Sequence, residues 1–319
     1  MLIKGFRTDI AEEEIRRINE TSLKGVQVEK NTLYNINVEK VIIENEHDER
    51  INKKVGTYYT IDLRHKNIHD NEVSNNIIKT VSTVLIQLMN NIGILNKKGM
   101  IIGLGNINIT PDSLGPFTID NIIVTRHLFK NGIQNNGYSE ISGYSPGVMG
   151  TTGIETSDIV EAIKEKIDVD YIIVVDALAS SDTTKVNKTI QITDTGISPG
   201  SGVGNKRKEI SKDTFGIPVI AIGVPTVVDA QTLTTDILER LESHLYKQDK
   251  NNDFLGLFGN LNNLERKELL GEAINNSLYD MMVTPKEIDE VIEDLSKIIS
   301  SSIDIAVHEN LRSEYLNNE

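Results

Sequence analysis

The clearest helical pattern in the chain lies at residues 74–89. Its apolar residues recur at intervals of three and four and share one helical face: Ile77, Ile78, Val81, Val84, Leu85 and Leu88. A helix with one apolar face buries that face against a core. The pattern therefore predicts an amphipathic helix, and a shorter apolar stretch at 38–44 predicts a strand before it.

From residue 100 onward, short apolar runs alternate with helical patterns. These stretches are 100–104, 118–129, 159–167, 171–175, 218–224 and 230–245. Such alternation is typical of βαβ units around a parallel sheet. A last helical pattern at 286–310 is expected to pack back on that core. The predicted fold class is α/β, a mostly parallel sheet flanked by helices, with additional peripheral segments.

Length and composition indicate one large domain. The 319 residues are 38% hydrophobic, which is enough to bury a substantial core. An Asn- and Gly-rich stretch at 248–264 has no clear period and predicts a loop or small insertion.

Charge and cysteine content exclude several classes of partner and site. With 33 basic and 47 acidic residues, the net charge of −14 repels nucleic acid and anionic membrane surfaces, so neither is expected to bind directly. The chain has no cysteine, which excludes disulfides, thiolate metal sites and cysteine nucleophiles. Apolar runs such as 171–175 are too short to span a bilayer, and we expect a cytoplasmic protein.

Two aspartates follow strand patterns of the predicted sheet. Asp112 lies in the loop GLGNINITPDSLGP after the run 100–104, and Asp176 lies at the carboxyl end of the predicted strand DYIIVVDAL. Ligands bind at the carboxyl ends of the strands in open parallel sheets. Two nearby carboxylates in a partly dry cleft divide into acid and base, which suffices to activate water and protonate a leaving amine.

Each aspartate also fits a purely structural role. Asp112 stands where a helix is expected to begin near Ser113, and its side chain would then cap that helix. Asp176 would simply end a strand. The spacing alone favours neither the catalytic nor the structural interpretation.

Glycine motifs suggest two other kinds of site, and their residues argue against both. Gly103-Leu104-Gly105 follows a strand pattern, but Asn108 stands where a dinucleotide fingerprint needs its third glycine. GYSPG at 143–147 and GISPG at 196–200 resemble a serine nucleophile elbow, yet proline follows each serine and lacks the N–H that an oxyanion requires. We interpret the two G-x-S-x-G motifs as turns, expect no nucleotide site at Gly103-Leu104-Gly105, and predict no cofactor.

The histidines offer a metal site as an alternative. His65 and His69 have ligand spacing only if they lie on a helix, and their polar surroundings favour a solvated pair. His127 follows Arg126 in an apolar helical pattern and is expected to be a core residue.

Five stretches together resemble the germination proteases of spore-forming bacteria. They occur in order as GLGNINITPDSLGP, GYSPGVMGTTGIET, DYIIVVDALAS, ITDTGISPGSGVGN and GIPVIAIGVPTVVDA. The resemblance implies an endopeptidase that degrades small acid-soluble spore proteins during germination. It also implies a self-processing zymogen, a homotetramer, a location in the cytoplasm of the forespore or spore core, and a fold similar to that of hydrogenase maturation proteases.

The resemblance further implies that Asp112 and Asp176 are catalytic. Hydrogenase maturation proteases bind a metal through carboxylates and a histidine, whereas residues 216–226 here contain no histidine. We therefore predict no required metal.

The stretch FRTDIAEEE near the N-terminus fits two roles. Asp9 is a candidate helix cap, because glutamates follow it at 12–14. Substrates of the resembled family are cut after an acidic residue that is followed by a bulky apolar residue and alanine, and the bond between Asp9 and Ile10 fits that pattern. The resemblance thus predicts a pro-segment at 1–9 and a single α/β peptidase domain at 10–319.

Two alternatives remain at this level. One is a metal-dependent maturation protease of the hydrogenase type. The other is a non-catalytic α/β module that binds a peptide without cutting it.

Overall fold

A mixed β-sheet forms the centre of the structure, a computed structural model that describes residues 24–44, 51, 53–133, 137–199, 207–248 and 281–316. Its strands are β1 (Val26–Leu33), β2 (Ile36–Ile43), β3 (Gly56–Asp62), β4 (Gly99–Gly103), β5 (Ile141–Tyr144), β6 (Tyr171–Ser180), β7 (Thr189–Thr193), β8 (Val219–Asp229) and β9 (Met282–Val283).

The strands follow the order β1-β2-β3-β7-β8-β6-β4-β5, and β9 pairs with β8. The neighbours β5, β4, β6 and β8 run parallel. The remaining strands pair antiparallel and widen the sheet. The predicted α/β class is confirmed, as a parallel core within a mixed sheet.

Helices connect and cover the parallel strands, as crossover connections require. They are α1 (Asn71–Asn91), α2 (Leu114–Asn121), α3 (Arg126–Lys130), α4 (Met149–Thr152), α5 (Thr156–Ile167), α6 (Lys212–Phe215), α7 (Ala230–Gln248), α8 (Ile288–Val307) and α9 (Glu309–Leu316), with a 3₁₀ turn at Thr110–Asp112.

The core lies on both faces of the sheet, as the central strand β6 shows. Ile173 and Val175 belong to a cluster that includes buried residues of α1 and α8. Ile172 and Val174 belong to a second cluster that includes Val160 of α5. Because successive side chains of a strand point to opposite faces, an unbroken apolar run indicates a strand covered by helices on both sides.

The predicted helix at 74–89 is α1, which begins at Asn71. The Asp70 side chain accepts hydrogen bonds from the N–H groups of Glu72 and Val73 and so caps the helix. All the apolar positions that the pattern singled out are buried. The strand predicted at 38–44 is β2, and the pattern at 286–310 becomes α8 and the start of α9.

The pattern at 118–129 contains an interruption. Helix α2 ends at Asn121, the backbone is extended at Ile122, and α3 begins only at Arg126. His127 lies on α3, a five-residue helix with no buried residue, and it is exposed. The expectation that His127 is a core residue is therefore wrong.

Some sequence predictions fall on residues that the structure does not describe. The pro-segment at 1–9 lies outside the described residues, and so does nearly all of the predicted loop at 248–264, of which residue 248 ends α7. Across the described part of the chain, no helix combines the length and hydropathy that a bilayer crossing demands.

Candidate active site

The candidate site forms where β4 ends and its neighbour β6 continues. Gly103 at the end of β4 pairs with Val175, and β6 runs on to Ser180. Asp176 is therefore the first β6 residue beyond the end of β4. The prediction that Asp176 ends its own strand is wrong, but the shorter neighbour still leaves Asp176 at a carboxyl-end crevice.

The 3₁₀ turn holds Asp112 against the loop that follows β4. The backbone N–H of Asn106 donates to Oδ2 of Asp112 at 2.8 Å and to its carbonyl oxygen at 3.0 Å. Gly105 has φ +114°, and a Cβ there would collide with the Asp112 carbonyl. Glycine is needed at this point because it combines the backbone angle with the close approach.

Strand β8 fixes the other side of this turn. Thr226 is buried, with 1% of its surface exposed. Its hydroxyl donates a hydrogen bond to the Pro111 carbonyl at 2.7 Å. The Thr226 carbonyl in turn accepts from the Thr284 hydroxyl at 2.8 Å. The turn that carries Asp112 is thus anchored both to the preceding loop and to a central strand.

The helix-cap interpretation of Asp112 is wrong. Helix α2 has Ser113 at its N-cap position, and the Ser113 side chain makes no capping hydrogen bond. The Asp112 carboxylate accepts from Asn106 instead, which lies on the preceding loop.

Asp112 and Asp176 line the same cavity, which measures about 400 Å³. That volume lies within the range of small-ligand sites. Most large side chains in the described wall are apolar: Leu104, Ile109, Val148, Leu178, Ile197, Val227 and Met282. The expectation that the two acids meet at one rim of the sheet is confirmed, while their chemical role remains a proposal.

The surroundings of Asp112 favour its neutral form. Burial raises the pKa of Asp112 to about 6, although the Asn106 N–H and the positive charge of Arg207 act in the opposite direction. Asp176 is 6% exposed, and its Oδ1 accepts the Ala177 N–H at 2.9 Å. A carboxyl group with a pKa near 6 is partly protonated at mildly acidic pH, so Asp112 is suited to donate a proton.

Arg207 lines the same cavity and is absent from the residues that the sequence singled out. The residues that follow Arg207 contact other parts of the structure. The Lys208 ammonium lies 3.1 Å from a carboxylate oxygen of Glu161 on α5, and Ile210 forms an isolated β-bridge with Ile197.

Comparison with known proteins shows the family to which the chain belongs. The sequence profile described as germination protease matches residues 6–253 and 241–318. The chain belongs to the germination protease family. The germination protease of Bacillus cytotoxicus is 38% identical over 345 residues, which cover 96% of this chain and 94% of that protein. The germination protease of Halalkalibacterium halodurans is 38% identical over 329 residues, which cover 92% and 88% of the two chains.

The predicted family resemblance is therefore confirmed. Among solved structures, the [NiFe] hydrogenase maturation protease HycI from Thermococcus kodakarensis matches 69% of this chain and 98% of its own. The sequence identity is 13% and the TM-score is 0.32.

In this member of the germination protease family, the G-x-S-x-G and G-x-G motifs have structural contacts. The Ser145 hydroxyl of GYSPG donates to the Gly103 carbonyl at 3.0 Å. Gly196 of GISPG has φ +78°, and the Ile210 carbonyl occupies the place of a Cβ there. Gly103 lies against the backbone of Gly115 on α2, so a side chain would separate that helix from β4.

The histidine pair lies outside any helix. His65 and His69 precede α1, and Nδ1 of His69 lies 2.5 Å from a carboxylate oxygen of Asp294 on α8. Within the described ranges, no group of three or more histidine, aspartate or glutamate side chains is placed to hold a metal ion.

Proposed function

We propose that the chain is an endopeptidase that degrades small acid-soluble spore proteins during germination, with Asp112 and Asp176 as its catalytic pair. The observation that carries this proposal is that both carboxylates line one cavity, beside the carboxyl end of the parallel strand β4. Membership of the germination protease family supports the substrate class.

In the proposed reaction, ionised Asp176 takes a proton from water while the water oxygen bonds to the scissile carbonyl carbon. Protonated Asp112 gives its proton to the leaving nitrogen as the C–N bond breaks. The pair then holds one proton, as it did before the reaction, and transfer from Asp176 to Asp112 restores the starting state. The raised pKa of Asp112 is the reason to assign it the acid role.

The proposal includes the assembly and maturation that the family resemblance implies. The chain is made as a zymogen, cuts its own bond between Asp9 and Ile10, and works as a homotetramer in the spore core. Asp9 and Ile10 lie outside the described residues. Support for the cleavage site comes from the match between Asp9-Ile10-Ala11 and the substrate pattern of the family.

Replacing either carboxylate with its amide tests the catalytic pair. Asp112→Asn and Asp176→Asn should each lower turnover of a small acid-soluble spore protein by about 10² or more, because each removes one proton-transfer group. The matched control is Asp120→Asn, which changes an exposed carboxylate on α2 and should cleave at the wild-type rate. Cleavage is followed by mass spectrometry of the products.

Intact-mass spectrometry of each enzyme first shows whether residues 1–9 are still attached, and rates are compared between preparations with the same N-terminus. Near-normal cleavage by both Asp112→Asn and Asp176→Asn would contradict the proposal that these two aspartates are catalytic. Binding of the spore protein by wild type without any cleavage would instead support the peptide-binding module.

A further inference from the structure

We infer that Thr226 is a positioning residue for the proposed catalytic pair. Its hydroxyl fixes the 3₁₀ turn that carries Asp112 relative to the strand that carries Asp176. The inference rests on the proposed function, because it assigns Thr226 a role in the geometry of that site. Thr226 itself takes no part in the proton transfers.

The first observation is a β-bulge in β8 at Thr226. In the pairing of β8 with the parallel strand β6, Pro225 lies opposite Leu178. The next pair is Val227 and Ala179, so Thr226 is an extra residue of β8 with no partner in β6. Bulges are rare between parallel strands, and those beside active sites redirect a side chain or end the pairing. The bulge therefore places Thr226 outside the ladder that joins the two strands.

The second observation is that Thr226 makes two hydrogen bonds to residues outside that ladder. Its hydroxyl donates to the Pro111 carbonyl at 2.7 Å, and its carbonyl accepts from the Thr284 hydroxyl at 2.8 Å. Pro111 directly precedes Asp112 in the 3₁₀ turn. Because Thr226 is almost completely buried, a hydroxyl left without its partner there would cost free energy. The contact therefore holds the turn in one place.

The third observation is that β8 connects both sides of the site. Gly223 of β8 lies opposite Asp176 in the parallel pairing with β6. Three residues later, the same strand holds the turn of Asp112 through Thr226. One strand thus sets the separation of two carboxylates that must act on the same peptide bond. Displacing a reacting group by about 1 Å can lower a rate by about 10².

The test is Thr226→Val, which keeps nearly the shape of threonine but lacks the hydroxyl. We expect kcat for cleavage of a small acid-soluble spore protein to fall about tenfold or more, with KM within about twofold of the wild-type value. The reason is that the cavity still binds the substrate while its two carboxylates are misplaced. Thr226→Ser keeps the hydroxyl and should restore kcat to within about threefold of wild type.

The matched control is Thr80→Val on α1. Thr80 is 0% exposed, and its hydroxyl donates to the Asn76 carbonyl at 2.7 Å, but it lies outside the described cavity wall. This variant also loses a buried hydroxyl and should keep the wild-type kcat. Circular dichroism shows which variants are folded. If Thr226→Val does not fold, Thr284→Val takes its place, with an expected loss in kcat of about threefold or more.

A wild-type kcat in folded Thr226→Val, or in Thr284→Val where it takes that place, would overturn the inference. The inference would also fail if Thr226→Ser lost as much kcat as Thr226→Val, because the hydroxyl would then not be the cause. A raised KM with an unchanged kcat would show instead that Thr226 contacts the substrate. Cleavage by Asp112→Asn at the wild-type rate would overturn the proposed function itself.

Discussion

At the scale of single residues, the Asn106 N–H and the Thr226 hydroxyl hold the 3₁₀ turn that carries Asp112. Asp112 and Asp176 stand out because each follows a strand pattern. The Asn106 N–H and the Thr226 hydroxyl that hold the 3₁₀ turn have no such signal, because a backbone donor or a threonine looks the same wherever it lies. Arg207 had a weak signal, since the basic triplet at 206–208 is unusual in so acidic a chain.

The pKa of Asp112 predicts a pH dependence of the reaction. If Asp112 donates a proton, kcat/KM for a peptide should fall as the pH rises through about 6, because the group loses that proton. The apparent pKa belongs to the pair of carboxylates, since close acids titrate together. Arg207→Gln removes a charge that lowers the pKa of Asp112, so the falling limb should move to higher pH.

A pH–rate profile of wild type, Arg207→Gln and Lys212→Gln measures this limb. Lys212→Gln should leave it in place, because Lys212 is exposed on α6 outside the described cavity wall. A rate that rises through pH 6 in wild type would show that Asp112 acts as the base, and the two roles would then be exchanged.

At the scale of secondary structure, strands β4, β6 and β8 of the parallel core and the antiparallel strand β2 were predictable from the sequence, whereas the other strands were not. Strands β4, β6 and β8 are buried along most of their length, so their apolar runs are continuous. Strand β1 lies at the edge of the sheet, and six of its eight residues are exposed. Without a buried face, it has little apolar alternation to reveal it.

The break between α2 and α3 depends on contacts from a distant helix. The N–H of Ile123 donates to the Asp304 carboxylate of α8 at 3.1 Å. The Nε2 atom of His308 lies 3.4 Å from the Ile123 carbonyl oxygen. The Nδ1 atom of the same ring accepts a hydrogen bond from the Ser139 N–H at 3.2 Å. Both the N–H and the carbonyl of Ile123 therefore contact residues that lie far along the chain. A local sequence pattern does not include those residues, so it could not predict the break.

This buried contact predicts a pH-dependent stability. Burial raises the pKa of Asp304 to about 7, above its ordinary value of 3.8. The free energy of unfolding therefore contains a contribution from neutral Asp304 that is present at low pH and is lost as the pH rises from about 4 through 7. Asp304→Asn lacks that titration. Its free energy of unfolding relative to wild type should therefore improve by on the order of 2 kcal/mol between pH 5 and pH 8.

Urea unfolding at the two pH values measures the difference, with Asp120→Asn as the control that should show no such change. Burial lowers the pKa of His308, which opposes the trend at acidic pH, but His308 is present in both proteins and its effect largely cancels. A stability difference that is the same at pH 5 and pH 8 would show that Asp304 is ionised in the folded protein throughout this range.

At the scale of the whole molecule, composition argued against some classes of partner, and the motifs indicated the protein family. The net charge of −14 argued against nucleic acid and membrane partners, and no pattern of charge distinguishes a protease from other acidic α/β proteins. The ordered motifs around Asp112 and Asp176 made the family recognisable, and comparison of the full chain confirmed it.

The proposed self-processing involves the whole chain, because it requires the N-terminal stretch to reach the candidate active site. We expect mild acid incubation of wild type to yield a new N-terminus at Ile10, while Asp112→Asn stays intact. N-terminal sequencing and intact-mass spectrometry detect this change. A cut at another bond, or the same cut in Asp112→Asn, would mean that another protease processes the chain and that FRTDIAEEE is a helix start.

The most direct test of the catalytic pair is a double-mutant cycle on spore-protein cleavage with Asp112→Asn, Asp176→Asn and the double variant. If both carboxylates act in one step, the double variant should be no slower than the slower single variant, because the loss of either group already disables that step. Circular dichroism confirms that all chains are folded. Losses that multiply in the double variant, or a single variant near the wild-type rate, would contradict the account.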